Sequence, residues 1–171
     1  MKKKNFKWII FFCIVVFLVS CGYQFEGGGF INKDVRSVAV KVLKNQTSET
    51  GAGIAFTNAL IQEIIQKTDT KIVDQSRAAV SFEGTIKEIT FGTLSRATTQ
   101  TVLERRVAAK IDLKMINKDG EVVWSALDFS SYEDYTVSQN QITDEGNKKA
   151  AVDKIAIRIA EKLINKLMSN F

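Results

Sequence analysis

The chain has 171 residues and two cysteines, and its 24 Lys and Arg exceed its 19 Asp and Glu to give a net charge of +5. It contains no histidine, which excludes the catalytic triads and the metal sites that depend on an imidazole. The length suits one domain with a single hydrophobic core.

The first twenty residues form a segment unlike the rest. Four lysines between residues 2 and 7 precede an uncharged apolar run, Trp8–Val19. About twelve apolar residues is the length of a signal-peptide core and falls short of the roughly 20 that span a bilayer. The run ends in Leu18-Val19-Ser20-Cys21, which resembles the bacterial lipobox, where a lipid-carrying thiol follows small residues. The sequence therefore predicts a lipoprotein precursor that is cut before Cys21, with an uncleaved anchor helix as the alternative.

Removal of residues 1–20 changes what the charge and the cysteines imply. Four of the 24 basic residues lie in that segment and none of the acidic ones, which leaves 20 against 19. The mature domain thus lacks the excess positive charge of a nucleic-acid-binding protein. Cys13 is lost with the signal and Cys21 carries the lipid, so no thiol remains for a disulfide, a metal site or a redox pair. The sequence predicts no metal, no cofactor and no nucleic-acid partner.

A glycine-rich stretch, Gly27–Gly29, lies between the lipidation site and the first periodic segment. A phosphate-binding loop is disfavoured because no Gly-Lys-Ser/Thr follows the glycines. Residues 21–34 are therefore predicted to be the lipidated N-terminus and a flexible tether, and residues 35–171 a globular domain.

The first part of the domain predicts a strand, a helix and a short strand. Residues Arg36–Lys44 alternate in hydrophobicity as a strand does. Residues Ala52–Lys67 place apolar side chains at i, i+3 and i+4, which predicts a helix with Glu63 and Lys67 among its outward-facing residues. Lys71–Val73 is predicted to be a second short strand, reached by a right-handed crossover.

The middle of the domain has the pattern of β structure. An alternating strand, Val80–Phe91, changes its apolar phase near Lys87, which predicts a β-bulge. A Thr- and Ser-rich loop over residues 93–102 leads to a second alternating strand, Val107–Met115. The turn that follows carries Gly120, which admits a positive φ, so a third strand is expected to return antiparallel.

The last element is an amphipathic helix predicted over Thr143–Ser169 and capped by Ser138 or Thr143. Its apolar stripe packs on the domain's own sheet or, as the alternative, forms a partner-binding face. Together the elements predict a single α+β domain with two helices packed on one face of a mixed four- to five-stranded sheet, in the order β-α-β-β-β-β-α. The stripe comprises Val152, Ile155, Ala156, Ile159, Ala160, Leu163, Ile164 and Leu167.

Several short motifs have the order and spacing found in one family. Cys21–Phe25 precedes a glycine run, and Val35–Val40 begins the first strand. Phe56–Leu60 lies in the first predicted helix, Gly84–Ile86 in the bulged strand, and Tyr132–Tyr135 before the last helix. Over nearly the whole mature chain, the sequence resembles the LptE-type lipopolysaccharide-assembly lipoproteins.

The resemblance implies a role that is not enzymatic. Members of the family are small α/β lipoproteins that sit as a plug in the lumen of the outer-membrane β-barrel LptD, and together they place lipopolysaccharide in the outer leaflet. The lipoprotein also assists assembly of the barrel and binds the lipid. Gly22 stands where an aspartate would retain a lipoprotein at the inner membrane. The resemblance therefore implies an outer-membrane location, with the domain on the periplasmic side or within a barrel lumen.

Lipopolysaccharide carries phosphates and carboxylates, which arginine binds well because its guanidinium is planar and bidentate. The candidate lipopolysaccharide-binding residues are Arg96, Arg105, Arg106 and Lys110. Arg96 also falls where the family tends to place a basic residue. The alternative is a solvated strand edge that prevents aggregation between sheets. Tyr132 and Tyr135 are candidate contacts to the barrel wall, with core packing as the alternative.

Two other classes of function compete with this interpretation. An enzyme would have to use carboxylate or Ser/Lys chemistry. Glu133 and Asp134 are adjacent on a predicted strand, so they point to opposite faces and cannot flank a substrate. A lipid-anchored periplasmic adaptor of another envelope complex would have a similar sheet and helices. The sequence therefore favours a protein that is not an enzyme and leaves the adaptor as the main alternative.

Overall fold

A computed structural model describes residues 29–32, 34–98 and 102–170. The predicted signal peptide, the lipidation site Cys21 and most of the predicted tether lie outside the described residues, so they stay predictions. Within these residues no helix is both long enough and apolar enough to cross a membrane.

The described elements form one mixed sheet and two helices. In chain order they are β1 (Ser37–Val40), β2 (Lys44–Asn45), α1 (Ala52–Lys67), β3 (Lys71–Ile72), β4 (Val80–Arg96), β5 (Val102–Asn117), β6 (Val122–Thr136) and α2 (Gln141–Met168). The sheet order is β3-β1-β4-β5-β6, and β2 pairs with β4 off this path. The predicted α+β class and order are confirmed. The first strand ends at Val40, earlier than predicted, and β2 is an additional two-residue strand that begins at Lys44, the predicted end of the first strand.

Parallel and antiparallel pairing divide the sheet into two parts. β1 pairs in parallel with β3 and with β4, so α1 is the crossover between β1 and β3. β4, β5 and β6 form an antiparallel meander. The loop predicted over residues 93–102 is wrong in extent, because β4 continues to Arg96, which pairs with Val102 of β5. Threonine favours extended backbone, and each of the two strands supplies hydrogen-bond partners for the backbone N–H and C=O groups of the other.

Irregular positions in the meander keep its apolar side chains on one face. The register between β4 and β5 shifts between Ile86 and Glu88, which confirms the bulge predicted near Lys87. In β6, Asp128 has a φ of 51° beside another register shift. Gly120 has a φ of 84°, as the predicted turn requires. Because a shift of one residue exchanges the two faces of a strand, these irregularities let long strands stay in phase with the core.

Both helices lie on the same face of the sheet and form the core with it. The whole apolar stripe of α2 is buried, which confirms packing on the protein's own sheet. α1 spans the predicted residues, but Glu63, predicted to face outward, is only 5% exposed. α2 packs along α1 and covers that side, a contact that the local sequence of α1 does not contain.

The folded part of the chain begins within the predicted tether. Ile31 is 1% exposed and belongs to the core, and its backbone N–H donates to Thr70 Oγ1 at 3.1 Å. The Arg36 guanidinium lies 5.3 Å from the centroid of the Phe30 ring. Packing therefore starts before residue 35, where the sequence places the domain boundary, because two apolar residues beside polar ones produce no periodic pattern.

Helix α2 is capped by Asn140, not by the predicted Ser138 or Thr143. The Asn140 side-chain oxygen accepts a hydrogen bond from the backbone N–H of Thr143 at 3.1 Å. The backbone N–H of Ser138 donates to Asp144 Oδ1 at 3.0 Å, which holds a carboxylate near the positive end of the helix. All three candidates are good capping residues, so the local sequence does not rank them.

Asn140→Ala is expected to lower the free energy of unfolding by about 1 kcal/mol, because a helix N–H loses its acceptor. Gln139→Ala, at an exposed position one residue earlier, is the matched control, and its effect is expected to stay within about 0.5 kcal/mol. Urea unfolding followed by circular dichroism measures both. Equal losses for the two variants would contradict a stabilising role for the cap.

Candidate functional site

The meander has one face against the helices and one face away from them. Along β5 the residues with odd numbers from Val107 to Met115 are buried, and those with even numbers point to the other side. We call this second side the open face. It comprises Arg106, Ala108, Lys110, Asp112 and Lys114 of β5 and, on β6, Ser130, Tyr132 and Asp134.

Arg106 is held in a fixed geometry on the open face. Its Nε donates to Asp134 Oδ1 at 2.7 Å and a terminal nitrogen donates to Oδ2 at 2.9 Å. The guanidinium also lies 3.9 Å from the centroid of the Tyr132 ring. The hydrogen bond to Asp134 raises the pKa of Arg106, and the hydrogen bond to Arg106 lowers the pKa of Asp134. The contribution of this pair to stability is therefore present at neutral pH and is lost as the pH falls through the lowered pKa of Asp134.

Lys110 of the open face and Lys87 of the neighbouring strand β4 also have acidic neighbours. Lys110 lies 3.8 Å from Glu88. Lys87 lies 2.7 Å from Asp128 and 3.5 Å from Asp112, and the hydrogen bond to Asp128 raises the pKa of Lys87. Opposite charges thus alternate over this surface. Exposed ion pairs of this kind contribute little to stability. The acidic partner of each cation can therefore be replaced by another anion at a small cost in free energy.

The structure does not bring the four candidate basic residues into one patch. Arg106 and Lys110 share the open face, four residues apart on β5, which is about 13 Å. Arg105 points to the opposite face, and it lies opposite Thr93 of β4 and Tyr135 of β6 in the strand register. Arg96 is exposed at the end of β4. The three arginines nevertheless lie toward the same end of the meander, the end of the β4–β5 hairpin, whereas Lys110 lies near the middle of β5.

The two candidate tyrosines have different environments. Tyr132 is 51% exposed on the open face. Tyr135 is 8% exposed, and its ring meets Phe91 edge-to-face with centroids 6.4 Å apart. Glu133 and Asp134 point to opposite faces, as predicted: Glu133 pairs with Arg158 of α2 at 2.6 Å, and Asp134 with Arg106. Of the two tyrosines, Tyr132 therefore has the larger area for a partner.

Side chains of α2 cover part of the outer edge of β6, a feature that sequence reasoning missed. Arg158 donates to the carbonyl oxygen of Tyr132 at 2.7 Å, and Asn147 donates to that of Thr136 at 2.9 Å. β6 is an edge strand, and such strands pair readily with other chains. Donors from the helix satisfy these two carbonyls, which hinders pairing at this end of the strand. Only the tertiary arrangement reveals these contacts.

The sheet and both helices are the part of the chain that a known family shares. The family model LptE, described as lipopolysaccharide-assembly, matches residues 35–167. The chain belongs to the LptE family. The match runs from before β1 to the last turn of α2, so it includes the open face and both helices. LptE proteins are non-enzymatic lipoproteins of the cell envelope that act in lipopolysaccharide assembly, and the family resemblance of the sequence is confirmed.

Solved structures of lipoproteins are similar in fold to this LptE-family chain. Lipoprotein B from Nitrosomonas europaea has a TM-score of 0.57 at 11% identity, over 86% of this chain and 88% of that chain. Rare lipoprotein B from Shewanella oneidensis has a TM-score of 0.54 at 14% identity, over 78% of this chain and 95% of that chain. At such identities the similarity shows the fold alone. No curated protein gives a significant sequence match.

Proposed function

We propose that this protein is the plug subunit of a lipopolysaccharide-assembly barrel. It is an outer-membrane lipoprotein seated in the lumen of an LptD-like β-barrel, which it helps to assemble and with which it inserts lipopolysaccharide into the outer leaflet. The observation that carries the proposal is the LptE match over nearly the whole globular domain. The role requires surfaces for a barrel and a lipid, and no catalytic group.

The lipid on Cys21 supplies the membrane attachment in this proposal. Seven residues separate Cys21 from Gly29, the first described residue. Even fully extended, this segment reaches no farther than about 29 Å. The folded domain is thereby held close to the membrane surface, where it can engage both a barrel and the lipid that passes through it.

The open face offers a binding mode for an anionic lipid headgroup. Arg106 now binds the two oxygens of Asp134, and a phosphate presents the same two-oxygen geometry. Because the pair is exposed, replacement of the carboxylate by a phosphate costs little. Lys110 provides a second cation on the same face. Arg96 and Arg105 add positive charge at the end of the hairpin.

Reversing both open-face charges, Arg106→Glu with Lys110→Glu, is expected to weaken binding of purified lipopolysaccharide at least tenfold. A hydrogen bond to a charged group contributes about 1.5–3 kcal/mol, and about 1.4 kcal/mol corresponds to a factor of ten. Arg96→Glu and Arg105→Glu are each expected to weaken binding less. The affinities are measured by titrating the globular domain, without its signal peptide and lipid, with lipopolysaccharide and following the fluorescence.

Lys118→Glu is the matched control, since Lys118 is an exposed lysine in the turn between β5 and β6, at the other end of the meander. Its binding curve is expected to match that of the native protein. If the double variant and the two single variants bind as tightly as this control, the basic residues form a solvated strand edge and the lipid-binding part of the proposal fails.

The barrel is identified by affinity purification from detergent-solubilised outer membranes. Recovery of a large β-barrel in stoichiometric amounts is the expected result, and Tyr132→Ala is expected to reduce it more than Lys118→Glu does. Recovery of a peptidoglycan-bound or inner-membrane complex in place of the barrel would favour the adaptor alternative.

A further inference from the structure

The two helices leave a groove between them on the side away from the sheet. It encloses about 430 Å³, and its lining includes Glu63 of α1 together with Asp153, Ile157 and Glu161 of α2. Three of these residues are carboxylates, and neither Lys nor Arg lines the groove. The groove therefore has a negative charge with no cation in it.

Glu63 is an unusual residue for the side of a packed helix. It is 5% exposed, and its Oε1 has no hydrogen-bond partner among the described residues. Lys67, one turn along α1, attracts the carboxylate but forms no ion pair with it in the described part of the chain, and Glu161 repels it. Burial raises the pKa of Glu63, and the repulsion from Glu161 adds to this effect. A buried carboxylate without a partner destabilises a fold, so its presence points to a role in binding.

We propose that the groove between α1 and α2 receives a lysine or arginine side chain of a protein partner, whose cationic head pairs with Glu63. Charge complementarity favours a cation. Ile157, which is 52% exposed, offers an apolar surface to the aliphatic stem of such a side chain. The carboxylates are not grouped as a metal site, since no cluster of three or more metal-ligating residues occurs in the ranges that the structure describes.

This surface is separate from the one proposed to bind lipid. The groove lies on the outer side of the helix layer, whereas Arg106 and Lys110 lie on the open face of the sheet. Binding in the groove would thus be a second interaction of the protein, beyond the proposed function. Loss of lipopolysaccharide binding would leave the groove untouched, and loss of the cationic partner would leave the lipid titration unchanged.

Site-specific cross-linking in cells tests the occupant of the groove. The full-length chain carries a photo-reactive amino acid in place of Ile157, and the cross-linked peptide is sequenced by mass spectrometry. We expect the cross-link to map beside a lysine or arginine of one partner protein. Glu63→Gln is expected to lower the yield at least tenfold. Reversal of the partner's charge to glutamate is expected to abolish the cross-link, and Glu63→Lys is expected to restore it.

The same probe at Ile142, an 86% exposed residue in the first turn of α2 and outside the groove, is the matched control. Its cross-links are expected to be insensitive to Glu63→Gln. A cross-link from Ile157 to lipid, one to a segment without lysine or arginine, no cross-link at all, or a yield unchanged by Glu63→Gln would each overturn the proposal.

A stability measurement tests whether Glu63 lacks a partner within its own chain. Because the pKa of Glu63 is raised in the folded protein, the folded state binds this proton more tightly than the unfolded chain does. The resulting stabilisation is fully present below the ordinary pKa of 4.5 and is lost as the pH rises through the raised pKa. Glu63→Gln keeps the shape of the side chain and removes the charge. The Tm of this variant is therefore expected to rise above that of the native protein, and the difference to widen from about pH 4 to about pH 7.

Glu121→Gln, at an exposed position in the turn before β6, is the control and is expected to show no such widening. If Glu63→Gln and the native protein have the same Tm across this range, Glu63 is already compensated within the chain. Glu63 would then not require a cationic partner, which would overturn the proposal.

Discussion

Gly84→Ala is expected to lower the free energy of unfolding by about 1–3 kcal/mol, the usual cost of forcing an extra group into a packed core. A Cβ at Gly84 would lie 2.8 Å from the backbone oxygen of Asp112. It would also lie 3.1 Å from Leu113 Cδ1 and 3.2 Å from Leu43 Cγ. The nearest of these atoms belongs to the backbone of β5, so a side-chain rotation cannot relieve the clash. Chemical denaturation of the soluble domain measures the loss.

Gly92→Ala is the matched control, because Gly92 lies in the same strand and a Cβ there would have no heavy atom within 4 Å. Alanine restricts the unfolded chain more than glycine does, so this variant is expected to be neutral or stabilised by up to about 1 kcal/mol. Equal destabilisation of the two variants would mean that β4 responds to the lost glycine itself and not to the close approach of β5.

Gly84 lies against Leu43, where the segment between β1 and β2 packs on β4. Leu43 is 3% exposed between β1 and β2, and its N–H donates to Thr57 Oγ1 at 2.9 Å. A Cβ at Gly53 of α1 would lie 2.7 Å from the backbone oxygen of Leu43. Two glycines thus allow α1 and β4 to approach this leucine closely.

Cys21→Ala is expected to leave the precursor uncut and without lipid, because alanine has no thiol to carry the diacylglycerol. Acyl chains contribute about 0.8 kcal/mol for each buried methylene, and stable anchoring takes more than one membrane-binding signal. The variant is therefore expected to disappear from the salt-washed outer membrane. It is also expected to run as a larger product that retains residues 1–20. Mass spectrometry and membrane fractionation measure the two effects.

Cys13→Ala is the matched control, since it removes the other cysteine of the chain from within the predicted signal. Its product is expected to be cut and lipidated as in the native protein. A Cys21→Ala chain that still partitions with the outer membrane after a salt wash would show that the lipid is not what holds the protein there.

The features that the sequence predicts well are those that depend on near neighbours. Helix α1 has its predicted bounds, Ala52–Lys67, because the helical period is visible within a few turns. The bulge near Lys87 is visible as a one-residue change of phase. The loop over residues 93–102 is mispredicted because its threonines show no alternation. The strands extend there since each supplies the other with backbone partners.

The candidate site is predicted less completely than the fold. The sequence identifies Arg106 as a cation on a strand, and alternation places it with Lys110 and opposite Arg105. That its guanidinium already binds Asp134 depends on the register of β5 against β6, which the phase change near Asp128 shifts. A surface that looks basic in sequence is thus a set of paired charges in space.

The sequence by itself determined the family and the two faces of β5, and it predicts the lipid anchor at Cys21, which stays a prediction. Each of these depends on residues that are near one another in the chain, either as a short motif or as a regular alternation of apolar and polar residues. Only the tertiary structure decided that Glu63 is buried where α1 packs along α2, that Tyr135 belongs to the core while Tyr132 is exposed, and that Arg106 has a carboxylate partner. Burial and pairing depend on which distant segment lies opposite a residue, and a local pattern carries no information about that neighbour.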